Sequence, residues 1–104
     1  MKEAVLLFVA LTLVMAIVAI SYSADATAGK AVYEAKKCKL CHSIAGVGNK
    51  ASPLDGVGKK DTADVIKKWI KTPKAMNASS TMLAYPTISD KDLEDLTAYL
   101  LTLK

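Results

Sequence analysis

The chain contains no arginine, one histidine, two cysteines and one tryptophan among its 104 residues. Each shortage removes a class of function. Its net charge is +4, but lysines without arginine or interleaved aromatics make a poor nucleic-acid surface, so no nucleic-acid partner is expected. Two cysteines and one histidine fall short of the four protein ligands of a structural zinc site. A disulfide within Cys-x-x-Cys would close too short a loop to remove much chain entropy. Strand-like alternation is missing too, and a thioredoxin-type thiol pair needs a sheet beneath it.

What the chain has in excess is one hydrophobic run. After Met1-Lys2-Glu3 comes AVLLFVALTLVMAIVAI, Ala4 to Ile20, with Thr12 as its one polar residue. Small residues follow at Ser21, Ser23 and Ala24. A charged start, an apolar run and a small-residue cleavage site are the marks of a secretory signal peptide. Residues 1–24 are therefore assigned to a signal peptide and 25–104 to one domain, with export to the periplasm expected. The run exceeds the roughly 7–15 residues of an ordinary signal core, and about 17 can span a bilayer. An uncleaved membrane anchor is the alternative, and membrane contact is expected only in that case. The domain that remains is small enough to need a staple beyond its own core. A large apolar cofactor would be one.

Three helices are expected. The first spans about Ala28 to Lys37, with Asp25 or Thr27 as cap, because Ala28, Ala31, Val32 and Ala35 recur at helical spacing. The second begins near Asp61 or Thr62, carries the stripe Val65, Ile66, Trp69 and Ile70, and stops at Thr72-Pro73. The third starts at Ser89, where Asp92 makes a capping box and Ile88 with Leu93 a hydrophobic staple. Leu93, Leu96, Leu100 and Leu103 then form its apolar face. The glycine-rich stretch from Ser43 to Lys60 and the stretch from Lys74 to Thr87 read as loops. The domain reads as small and all-α.

Both cysteines and the histidine lie in KKCKLCHSIAG, residues 36–46. Cys-x-x-Cys-His is the signature of c-type haem attachment. The thiols of Cys38 and Cys41 would add to two vinyl groups, and the imidazole of His42 would reach the iron. From Gly29 to Leu103 the sequence resembles the class I c-type cytochromes, small single-haem electron carriers of bacterial periplasms. GKAVY, Gly29 to Tyr33, is similar to that family's first helix, whose glycine and aromatic pack across the last helix; Leu96 and Tyr99 are the implied counterparts. The resemblance implies a small cytochrome c fold, about three to five helices wrapped around one covalently bound haem c.

It also implies that the Pro53 carbonyl accepts the imidazole N–H and that a methionine is the second axial ligand. Met82 has the family's spacing from Pro73 and Tyr99, while Met76 lies close behind the second helix. Core filler is the bland role for either one. Trp69 is expected to pack beside the haem, and Tyr85 either lines the distal side or fills a turn. The implied function is one-electron transfer by a monomer, not an enzyme, with redox proteins as partners. Lys36, Lys37 and Lys39, with Lys67, Lys68, Lys71 and Lys74, suggest a basic face for an acidic partner. Asp90, Asp92, Glu94 and Asp95 gather instead at the start of the last helix, suiting its dipole. The alternative function is a haem peroxidase or gas sensor, which needs a displaceable sixth ligand and usually a distal acid–base group.

Overall fold

A computed structural model describes residues 23–104. The signal-peptide assignment lies outside the described residues, apart from Ser23 and Ala24. Five helices and a two-stranded sheet follow in chain order: α1 (Ala26–Ala35), a 3-10 turn (Cys38–Leu40), β1 (Ser43–Ile44), β2 (Val47–Gly48), α2 (Val57–Lys60), α3 (Ala63–Lys71), α4 (Pro73–Met76) and α5 (Asp90–Leu101). The small, mainly helical fold is the one expected.

Helix starts follow their caps. The Asp25 carboxylate accepts from the amides of Thr27 at 2.8 Å and Ala28 at 3.3 Å. Thr62 accepts from Val65 and Ser89 from Asp92, satisfying amides that have no partner within the helix. Helix α1 begins and ends two residues earlier than its expected span. Lys37 adopts a left-handed backbone, φ 57°, which stops α1 at its C-terminus and turns the chain into the cysteine motif. Pro73 both ends α3 and opens α4, because a proline loses nothing at a first helical position.

The long glycine-rich stretch is less irregular than its sequence suggests. Ser43 pairs with Gly48 and Ile44 with Val47 in an antiparallel hairpin, and α2 closes the segment. Two-residue strands offer no alternation to detect, which is why the hairpin escapes a search for strand patterns.

The core is Tyr33, Ile66, Ile70, Leu93, Leu96 and Leu100, contributed by α1, α3 and α5. Helices α1 and α5 meet at Gly29, where a Cβ would lie 1.9 Å from the Asp95 carbonyl oxygen and 2.7 Å from the Tyr99 Cβ. One turn on, Tyr33 meets Tyr99 edge to face, with ring centroids 5.9 Å apart. The expected packing of Gly29 and Tyr33 across the last helix is therefore present. No described helix is long and apolar enough to cross a membrane.

Candidate cofactor site

The turn that follows α1 brings three reactive side chains together. The amides of Cys41 and His42 both donate to the Cys38 carbonyl, at 3.1 and 2.9 Å. Both thiols are free; Cys38 is half-buried against the core and Cys41 is exposed. Burial raises the pKa of the Cys38 thiol.

The hairpin folds back over this turn. A Cβ at Gly48 would stand 2.3 Å from the His42 carbonyl oxygen, and φ there is 109°, so the approach requires glycine. Asn49 completes the contact: its amide donates to the carbonyls of Lys39 and His42, and its side chain to that of Leu40. Nothing in the sequence marks Asn49 beyond its place in a loop.

His42 Nδ1 lies 3.0 Å from the Ser52 carbonyl. That oxygen can only accept, so Nδ1 carries the proton; in the tautomer this selects, the lone pair lies on Nε2. The acceptor was expected at Pro53, and this assignment is corrected by one residue. Pro53 has no amide hydrogen, and it sits in an isolated parallel bridge opposite Ser43. The Ser43 amide donates to Ser52 at 3.3 Å, and the Leu54 amide to Ser43 at 2.8 Å. That bridge aims the Ser52 carbonyl, rather than that of Pro53, at the motif.

Met82 is half-buried in the loop before α5. Its amide donates to the Ser80 hydroxyl. Tyr85 ties this loop down: its amide donates to the Ile70 carbonyl at 2.9 Å and its hydroxyl to the Lys36 carbonyl at 3.2 Å. The Lys36 ammonium stands 5.8 Å from the centre of the Tyr85 ring. Tyr85 is thus a tie between the Met82 loop and the end of α1. Met76 is half-buried at the end of α4, and Trp69 is half-buried on α3 between the core residues Ile66 and Ile70.

The donor set suits a covalently held haem. Two free thiols and an imidazole with Nε2 available lie within one turn. The most exposed large apolar side chains, Leu40, Val47 and Leu83 at 65–70%, lie on the motif, the hairpin and the Met82 loop. The Tyr33 hydroxyl is buried without a hydrogen-bond partner, as expected beside a group that the polypeptide alone does not supply.

Residues 26–104 match the family model described as Cytochrome c. Cytochrome c oxidase subunit 2 of Alkalihalophilus pseudofirmus is 32% identical over 88 residues, covering 76% of this chain and 26% of that protein. The chain spans about a quarter of that relative's length. Covalent haem c attached through Cys-x-x-Cys-His is the cofactor of the matched family, and Cys38, Cys41 and His42 fit it.

Proposed function

The chain belongs to the cytochrome c family, and on that premise we propose that it is a one-electron carrier in a periplasmic electron-transfer chain, with His42 and Met82 as axial ligands. Haem c bound at Cys38 and Cys41 supplies a reversible one-electron couple. The polypeptide holds and tunes it. Two thioether bonds retain the group in a domain too small to grip it by packing alone. The Ser52 carbonyl orients the His42 ring and raises its basicity, as outer partners do for metal-bound imidazoles. Met82 serves as the thioether ligand, a choice that raises the reduction potential. Trp69 packs beside the haem, and Pro53 contributes by positioning Ser52.

Residues 1–24 direct export, and cell fractionation separates a cleaved carrier from an anchored one. A segment similar to this chain occurs within a protein named as an oxidase subunit, which supports redox proteins as partners.

The observation that carries this function is the His42 ring, proton committed to a main-chain carbonyl and lone pair available, beside two free thiols. Absorption spectra of the protein, exported with a competent haem-attachment apparatus, test it. The expected result is a haem c spectrum when reduced and the weak long-wavelength methionine–iron band when oxidised. Met82→Ala abolishes that band and lowers the midpoint potential, whereas Met76→Ala leaves both in place. A colourless protein overturns the proposal. A coloured one that readily takes up carbon monoxide replaces the carrier with a gas-binding or peroxidatic protein.

A further inference from the structure

The Tyr33 hydroxyl has no role in the fold itself. The residue is 6% exposed, belongs to the core cluster and meets Tyr99 edge to face. A phenylalanine would do all of that at less cost, because a buried hydroxyl without a partner is destabilising. Among the described residues, Tyr33 Oη is the one buried side-chain polar atom that lacks a hydrogen bond. Tyr85, by contrast, donates to Lys36.

The surroundings of Tyr33 point to where its partner belongs. Cys38 packs against the same cluster. Burial first, then the Cys38 thiol, Tyr99 and Asp55, push the phenol up to about 12, so at neutral pH it is a protonated donor. The hydroxyl is therefore a buried donor, in a core against which Cys38 packs, with a proton to give and no protein group to take it.

Building on the family assignment above, we propose that Tyr33 is a positioning residue whose hydroxyl donates a hydrogen bond to an acceptor that arrives with the bound haem. A donor aimed at the haem unit favours its more electron-rich, reduced state. Tyr33 therefore helps to set the reduction potential, a task its ring alone cannot perform.

The test compares wild-type, Tyr33→Phe and Tyr99→Phe holoproteins by spectroelectrochemistry and by denaturant unfolding. Tyr33→Phe keeps the ring and its packing. It is expected to lower the midpoint potential and to raise the unfolding equilibrium constant by roughly three- to tenfold, the loss of one hydrogen bond. Tyr99→Phe is expected to leave the midpoint in place. An unmoved midpoint with increased stability in Tyr33→Phe shows an idle hydroxyl and overturns the inference. The difference in the Raman tyrosine doublet between wild-type and Tyr33→Phe holoproteins isolates the Tyr33 contribution and gives a second reading. A donating Tyr33 supports the proposal and a non-bonded one overturns it. A donating signature with an unmoved midpoint assigns the bond to a water and overturns it as well. A wild-type protein without haem would instead remove the family-based function, so the two failures are separable.

Discussion

In the sequence, Asp95 stands with Asp90, Asp92 and Glu94 as one more acid at the start of α5. In the fold its side chain is 1% exposed, and it accepts from the Asp25 amide at 2.9 Å and from the Lys91 ammonium at 2.5 Å. The carboxylate thereby ties the start of α1 to α5. The Lys91 ammonium, helped by the Asp25 amide, holds the Asp95 pKa below its ordinary value of 3.8. The stability this contributes is complete above pH 3.8 and is lost as pH falls through the lower folded value. Asp95→Asn should therefore flatten the acid limb of a stability-against-pH curve, measured by denaturant unfolding at a series of pH values. Composition gives no warning of this residue, because only the third dimension separates it from its exposed neighbours. Ser52 is hidden in the same way: its side chain is irrelevant, and its carbonyl matters only once Ser43 and Pro53 are bridged.

At the scale of elements, what was legible follows from local chemistry. Asp25, Thr62 and Ser89 cap the helices they precede, since a cap and its amides lie within three residues of each other. The Leu93, Leu96 and Leu100 stripe likewise gives the buried face of α5. The hairpin was not legible. Its turn, Ala45-Gly46, has φ of 50° and 80°, and alanine is an unusual residue for the first of two left-handed positions. The crossing of α1 and α5 rests on a single missing methyl. Gly29→Ala would drive a Cβ into the Asp95 carbonyl, so the helices must separate. A loss of at least about 1–3 kcal/mol is expected from such overpacking, measured by denaturant unfolding of the holoprotein.

At the scale of the whole molecule, the net charge of +4 is not evenly available. Lys67 is engaged with Glu94 at 2.5 Å across α3 and α5, and Lys36 lies over the Tyr85 ring. Lys37, Lys39, Lys68 and Lys74 are exposed and available to the acidic partner expected from the sequence. Electron-transfer rate constants with such a partner should fall as ionic strength rises, since screening acts within about 8 Å at physiological salt. Salt-independent stopped-flow rates would remove the basic face from the account. The α1–α5 crossing also has a consequence in time. Leu93, Leu96 and Leu100 complete the core, so it cannot close until α5, the last helix described, is available to pack. Until then Cys38 lacks the burial that raises the pKa of its thiol in the folded polypeptide. The order of residues along the polypeptide thus leaves a window in which the sulfur is most nucleophilic, and the arrival of α5 shuts it.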